Sequence, residues 1–287
     1  MLADFGLFYS AAIWGSTFFI VKDVLSDIDP VTLVGYRFTL AGLGLLVYVI
    51  ISKRNFWAGF SRAFLLSVLL WLLYIPQTIG LKYTTASNSG FITGLFVLFV
   101  PIFLKLITRK IPGRLDIAAS IISLGGLWIL TGGMRDMNVG DMLTLIAALT
   151  YALHVLYSDK YMKSGLDPYV ISCQQFLLVG LFSLITSAVL GLSFKVETTS
   201  TYKIVLFLTL FPTLSAFVIQ MVAQKITAPV KVSLIFALEP VFAALFAWTF
   251  GGEEFVFRRA IGGLLIVAAL IVSSFSGRSP HMKGTEP

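Results

Sequence analysis

Ten apolar runs alternate with short polar connections along this chain, at about 3–21, 31–51, 64–80, 86–104, 115–131, 142–158, 169–192, 204–223, 232–250 and 260–276. Each is close to the roughly 20 residues a helix needs to cross a bilayer. The runs are too long and too unbroken for barrel strands, which alternate over about 10 residues. The pattern therefore predicts an all-α integral membrane protein with ten transmembrane helices. The connections are too short to hold a soluble domain. The final GRSPHMKGTEP, residues 277–287, reads as a polar cytoplasmic tail. The opening MLADFGLFYSAAIWGSTFFIVK has no basic residue ahead of its apolar run, so it reads as a retained first span and not as a cleaved signal.

The order of the runs contains a repeat. DPVTLVGYRF at 29–38 matches DPYVISCQQF at 167–176, LFVPIF at 98–103 matches ALEPVF at 237–242, and GGLWI at 125–129 matches GGLLI at 262–266, with offsets of 138, 139 and 137. Each match alone is weak, but the shared order and near-constant offset reinforce one another. Residues 1–134 form a first five-helix repeat and 135–276 a second. Five is odd, so the second must lie inverted in the bilayer. Inverted repeats recur in secondary transporters, with the substrate site between the halves.

Charge orients the chain. Lys53, Arg54, Arg62, Lys105, Arg109, Lys110, Arg114, Lys160, Lys163, Lys225, Lys231, Arg278 and Lys283 fall on one side, 13 in all. The other side holds Lys22, Lys82, Arg135, Lys195, Lys203, Arg258 and Arg259, or 7. The richer side is expected to be cytoplasmic, with both termini on it. The loop with Asp23, Asp27 and Asp29 should face out. Hydrophobic residues make up 57% of the chain and charged residues 12%, against about 25% charged in a soluble domain; mean hydropathy is +0.92. The net charge of +7 belongs to these loops, since no basic tract or RNA-binding signature accompanies it. The single Cys173 excludes an internal disulfide and offers no metal site. No cofactor is implied, and no G-x-x-x-x-G-K-[ST] loop for ATP occurs.

AAIWGSTFFIVK in the first span, DPVTLVGYRF opening the second, KYTTASNSGFITGLFVLFVP across the fourth and SLIFALEPVFAALFAWTFGGE in the ninth resemble the EamA-type drug/metabolite transporters. The resemblance covers nearly the whole chain, and its specificity lies in the order of motifs that are individually degenerate. It implies a ten-helix inner-membrane carrier of two inverted repeats, most members of which move amino acids or other small metabolites. It also implies a central cavity lined mainly by spans 1, 3, 4, 6, 8 and 9. Arg37, Glu239-Pro240 and Gly252-Glu253 stand where the family has its recurrent Arg, Glu-Pro and Gly-Glu. The basic residues with which phosphate-sugar relatives hold anions have no counterpart in the late spans, which weighs against a phosphorylated substrate.

The polar residues inside the spans are the candidate machinery. A charged carboxylate at a helix centre costs roughly 2.5–3.5 kcal/mol on insertion scales, so Glu239 should face a cavity or a partner. Pro240 removes its own N–H and pushes away the carbonyl of Phe236. The pair therefore reads as a bent, hydrated spot, serving either as a proton or substrate site or as a structural hydrogen bond. In the first repeat Pro101 matches Pro240, but Val100 replaces the acid. Pro76, Pro101 and Pro212 also lie within spans and serve either as hinges or as fixed kinks.

The candidate substrate-binding residues are Trp14 and Ser16, with Thr17 beside them; Tyr74 and Gln77; Asn88 and Thr93; Tyr151 and His154; and Gln220. Tyr151, His154 and Ser158 share one helix face. Each of these residues has a packing reading as well as a binding one. Arg37, about 10 Å into its helix, can bind an anion; the preferred reading is structural, either snorkelling outward or holding an Asp of the 22–29 loop. Gly90-x-x-x-Gly94, Gly125-Gly126 and Gly262-Gly263 should permit close helix contact within a monomer or across a homodimer.

The composite expectation is a secondary transporter for a small organic solute, amino acids leading, working by alternating access and exporting across the inner membrane. Protons are the candidate coupling ion, the lipid bilayer is the surrounding partner, and nucleic acid is not a partner. A passive channel and an intramembrane enzyme are the alternatives. Ser89 with His154 resembles a membrane serine protease's pair, but Ser87 stands where that motif has a glycine, and no H-E-x-x-H motif occurs. No catalytic residue is assigned.

Overall fold

The computed structural model describes residues 2–109, 112–131, 138–249 and 254–275, and every regular element among them is helical. The helices are α1 (Leu2–Val24), α2 (Pro30–Ile51), α3 (Phe60–Gly80), α4 (Ala86–Gly94), α5 (Phe96–Thr108), α6 (Arg114–Thr131), α7 (Val139–Lys163) and α8 (Pro168–Val189). They continue as α9 (Thr199–Leu208), a π-helical segment Thr209–Ser215, α10 (Ala216–Ala223), α11 (Pro229–Phe236), α12 (Glu239–Thr249) and α13 (Phe257–Ser274). Eight stretches are long and apolar enough to cross a membrane, three of them interrupted: α4–α5, α9–α10 and α11–α12. This is a multi-pass integral membrane protein. Gly252-Glu253 and the 277–287 tail lie outside the described residues.

Local chemistry sets the helix starts. Asp29 accepts from the amides of Val31 and Thr32 at 2.8 and 3.3 Å, with Pro30 in the first turn. Asp167 does the same for Tyr169 and Val170 at 2.9 and 3.4 Å, ahead of Pro168. Each carboxylate satisfies donors that a helix start leaves orphaned, and proline needs no donor there. Asn138 and Asp141 form a reciprocal capping box on α7.

The outer face of the bundle is apolar, and polar side chains are buried within its apolar core. Val47, Ile50, Ile121, Leu181, Ile185 and Leu264 are each more than half exposed, whereas Arg37, Gln174, Gln175, Gln220, Gln224 and Glu239 are buried. Lipid tails are as apolar as leucine, so burial between helices gains little from the hydrophobic effect. Close packing and interhelical hydrogen bonds must hold the bundle instead. Both are visible. A Cβ on Gly126 would lie 2.8 Å from the carbonyl oxygen of Gly262, so α6 and α13 cross backbone to backbone. Between α2 and α8, Thr32 Oγ1 donates to Ser187 Oγ at 3.1 Å. Tyr36 donates to the Phe194 carbonyl at 2.7 Å, and Gln174 Nε2 donates to the Phe56 carbonyl.

Two expectations change. Gly94 meets Leu127 at 3.0 Å, but nothing approaches within 4 Å of a Cβ built on Gly90, so that spacing is not a contact motif here. The interruption in the fourth span falls at Leu95, six residues before Pro101, which sits inside α5. Pro76 likewise lies inside an uninterrupted α3.

The 25–29 loop clasps the 190–198 loop. Thr201 and Thr198 hydroxyls donate to Asp27 Oδ2 at 2.9 and 3.1 Å, and the amide of Glu197 donates to the Asp27 carbonyl at 3.1 Å. The bonds from Thr201, Ser26 and Thr198 hold the Asp27 carboxyl below its ordinary 3.8. A lowered carboxyl stabilises the fold above its unfolded-state value and loses that contribution as pH falls through the folded one. Asp27→Asn is therefore expected to lower the melting temperature slightly at neutral pH. The difference from wild type should shrink to nothing well below 3.8, as read by a thermal scan at several pH values.

Candidate functional site

Two proline-broken spans organise the interior. Pro212 has no N–H, which frees the carbonyl of Leu208 four residues back. Thr213 Oγ1 takes that carbonyl at 2.7 Å, and Arg37 Nε donates to the same hydroxyl oxygen at 2.8 Å. The Pro212 carbonyl accepts from Trp14 Nε1 at 2.7 Å. The Pro-Thr pair in the π-helical segment thus anchors both an arginine and a tryptophan, and π-helical turns are frequent at functional sites. In the other broken span, α11 stops at Phe236 and α12 restarts at Glu239, with the Leu238 amide turning back to the Ile235 carbonyl at 3.1 Å. Gly15 of α1 packs against this break: a Cβ there would strike the carbonyl oxygen of Glu239 and approach Phe242 Cβ to 2.9 Å.

These elements enclose a cavity of about 40 Å³. Its walls include Trp14, Thr17, Arg37, Tyr74, Gln77, Thr93, Tyr151, Phe217 and Glu239, and one end is bounded by Val21, Thr78 and Leu81. The volume suffices for a few waters, at roughly 10–15 Å³ each. It is far below the roughly 300 Å³ at which ligand pockets begin. Tyr151 donates to Glu239 Oε1 at 3.2 Å, and Gln77 Nε2 donates to Thr93 Oγ1 at 2.9 Å. An aromatic layer closes the other end. Trp14 lies 4.8 Å from Phe217 and 4.9 Å from Phe236, while Tyr151 stacks on Phe96 at 4.2 Å, centroid to centroid.

Past that layer, farther along α7, lies a second polar group. His154 Nε2 is 2.8 Å from Gln175 Oε1. Gln220 Nε2 donates to Gln224 Oε1 at 3.2 Å, and Gln224 Nε2 donates to the Val155 carbonyl at 2.9 Å. His154 Nδ1, Ser158 Oγ and Gln220 Oε1 are buried without partners.

The expected residues therefore separate. Trp14, Tyr74, Gln77, Thr93, Tyr151 and Glu239 line one cavity. His154 and Gln220 belong to the second group. Ser16 turns back to the Ile13 carbonyl at 2.6 Å, and its neighbour Thr17 reaches the cavity. The side chain of Asn88 lies outside the described residues. Pro212 and Pro240 shape the backbone beside the cavity without lining it.

Arg37 corrects the sequence reading. It is only 3% exposed, so it does not snorkel, and it makes no ion pair with an Asp among the described residues. Its guanidinium lies 4.9 Å from the ring centroid of Tyr74 and 5.5 Å from that of Phe38. Thr213 was missed as its partner, although the Pro-Thr step marks where a freed carbonyl needs a hydroxyl. Gln224 was missed too, for it sits at the end of an apolar run and looks like a loop residue.

A fold of broken helices around a buried polar cavity defines a transporter, and the comparisons with known proteins agree. The model of the EamA-like transporter family matches twice, over residues 1–132 and 138–275, and the chain belongs to that family. An uncharacterized transporter of Archaeoglobus fulgidus is 31% identical over 279 residues, covering 96% of this chain and 86% of that protein. The uncharacterized inner membrane transporter YedA of Escherichia coli K12 is 26% identical, covering 95% of this chain and 91% of its own. A solved crystal structure shares the fold with a TM-score of 0.80 at 17% identity, covering 96% of this chain and 97% of that one.

Proposed function

We propose that this protein is a secondary carrier that moves a small organic metabolite, an amino acid or related solute, by alternating access, with export as the working direction. It is built of ten spans in two inverted five-helix repeats, residues 1–134 and 135–276, followed by a cytoplasmic tail at 277–287. It resides in the inner membrane with both termini cytoplasmic, a reading that the Lys and Arg bias supports. Protons are the proposed coupling ion.

Pairs of contacts related by the sequence offset support the inverted repeat. Tyr36 and Gln174 are 138 residues apart, and so are Phe56 and Phe194. Tyr36 bonds the carbonyl of Phe194, and Gln174 bonds the carbonyl of Phe56. Gly42 faces Leu177 and Gly180 faces Thr39, again at one shared offset. Two helix starts capped by an Asp-Pro step, at 29–30 and 167–168, stand in the same relation. The family model's double match adds the same division.

The observation that carries the carrier reading is the cavity itself. Arg37, Tyr74 and Gln77 reach it from the first half, and Tyr151, Phe217 and Glu239 from the second. Motion of one half against the other would therefore enlarge it toward one face at a time. An open pore is disfavoured because the aromatic layer and the Gln224 to Val155 bond interrupt any straight path. The test is counterflow in proteoliposomes with a labelled metabolite panel. Saturable uptake driven by trapped unlabelled solute is expected. Linear, non-saturating flux would show a pore, and chemically altered solute would show an enzyme.

A further inference from the structure

We infer that the groove between α5 and α6 binds an anionic phospholipid, with an acyl chain lying in the groove and the headgroup phosphate on Lys105. The inference goes beyond the carrier reading and does not depend on it.

The first observation is the groove. Steps of three and four residues place Leu98, Pro101, Ile102 and Lys105 on one face of α5. On α6 the same steps align Ile117, Ser120 and Ile121. These two faces, with Pro112, line a space of about 290 Å³. Unlike the central cavity, it opens on the outer surface of the bundle, where Ile102 is 51% and Ile121 61% exposed. The one side-chain hydroxyl in its wall is already committed, because Ser120 Oγ donates to the Asp116 carbonyl at 2.9 Å. From Leu98 to Lys105 the groove follows two helical turns, about 10 Å, toward the end of α5. Such a wall suits hydrocarbon and offers nothing to a polar solute.

The second observation is the charge at its end. Lys105 lines the groove from the last turn of α5 and is exposed. The connection to α6 adds Arg109, and α6 opens with Arg114; both are exposed, and no acid lies between residues 105 and 114. Among the described residues none of these three bases forms an ion pair. Arg54, Lys163 and Lys231, which the loop order puts on the same side of the membrane, pair with Asp167, Asp159 and Asp4. A second outer groove sharpens the contrast. It has about 280 Å³ between Leu45 and Tyr48 of α2 and Val218 of α10, and no lysine or arginine lines it. Arg54 lies over the rings of Tyr48 and Tyr169 beside it, but that charge is answered by Asp167. An apolar channel that ends at unpaired cations complements a molecule in which hydrocarbon and anion are covalently joined. A neutral lipid would leave the bases unanswered, and a soluble phosphate would leave the groove unfilled. Basic pockets beside membrane helices hold anionic headgroups on the same grounds.

The test uses purified full-length protein in a Cys173→Ser background, with a bimane label on Ile121→Cys in the groove or on Val47→Cys, a lipid-facing position of α2 that is 57% exposed. Each is reconstituted with phosphatidylglycerol or phosphatidylcholine carrying the same brominated chains, and quenching is read against mole fraction. At position 121 phosphatidylglycerol is expected to quench at a mole fraction at least about fivefold lower than phosphatidylcholine, since each base near an anionic lipid contributes roughly that factor. At position 47 the two lipids should quench alike. Lys105→Gln should weaken the phosphatidylglycerol preference at 121 by about fivefold. Lys53→Gln, which removes an exposed base from another loop, should leave it unchanged. If the label at 121 prevents folding, Ile117→Cys reports from the same wall. Equal quenching by the two lipids in the groove would overturn the inference. So would equal effects of Lys105→Gln and Lys53→Gln, which would show only a general surface potential. Displacement of the brominated lipid by glycerol 3-phosphate would overturn it in favour of a site for a soluble anion.

Discussion

Glu239→Gln is expected to flatten the pH dependence of counterflow and to lower its rate by about tenfold or more at the wild-type optimum. The carboxyl is the sole deep acid on the cavity wall among the described residues, and it faces Tyr151, Tyr74 and Arg37. Glutamine keeps the volume and can still accept from the Tyr151 hydroxyl, so the backbone break at Ala237–Leu238 should survive. What disappears is a carboxyl on the cavity wall that can take up and release a proton. A hydrogen bond to a charged partner is worth about 1.5–3 kcal/mol, or roughly 10–100-fold. Rates in proteoliposomes compared across a series of pH values would show the change. An unaltered profile would remove Glu239 from coupling and leave it a structural hydrogen-bond partner of Tyr151.

Among the glycines whose surroundings the structure describes, Gly262→Ala is expected to have the largest effect on folding. The new Cβ would strike the amide nitrogen of Leu130 and lie 2.6 Å from both Leu130 Cα and the Gly126 carbonyl oxygen. All three are backbone atoms, so no side-chain rotation can relieve the clash. The helices α6 and α13 would have to separate, at a cost of about 1–3 kcal/mol. In a bilayer no hydrophobic gain offsets the lost contact. The yield of monodisperse protein and its melting temperature should both fall. Gly125→Ala serves as the control, because nothing lies within 4 Å of that position. Equal behaviour of the two variants would contradict the close crossing.

The helical membrane architecture was legible because apolar length and turn chemistry are local. Asp29-Pro30 and Asp167-Pro168 each announce a helix start from four or five residues of sequence. The same holds for the break before Pro240, where a missing N–H has a fixed consequence four residues back. The break at Leu95 was not legible, since Gly94 beside it read as a small residue for close helix contact and not as the end of a helix. Nor was the π-helical turn at Thr209–Ser215, because one extra residue per turn rotates every later side chain by about 100° without changing composition. Arg37 was misread for a different reason. Whether a charge in a span finds an acid, a hydroxyl or nothing depends on which distant segment packs beside it. The Thr213 hydroxyl is 176 residues away in sequence. The separation of Gln77 from His154 is of the same kind: both are polar residues in apolar spans, and only the stacking of Trp14, Phe217 and Tyr151 between them divides one cavity from the other polar group.

The division at the aromatic layer gives the most direct test of alternating access. In a Cys173→Ser background, cysteines replace Gln77 on the cavity side and Ser158 on the far side, singly and together. Membrane-impermeant maleimide is then applied from each face of oriented vesicles. Position 77 is expected to react only from the outer face and position 158 only from the inner face, with modification at one suppressing modification at the other. Doubly modified molecules in high yield, or both positions reacting from the same face, would contradict a crevice that opens to one side at a time.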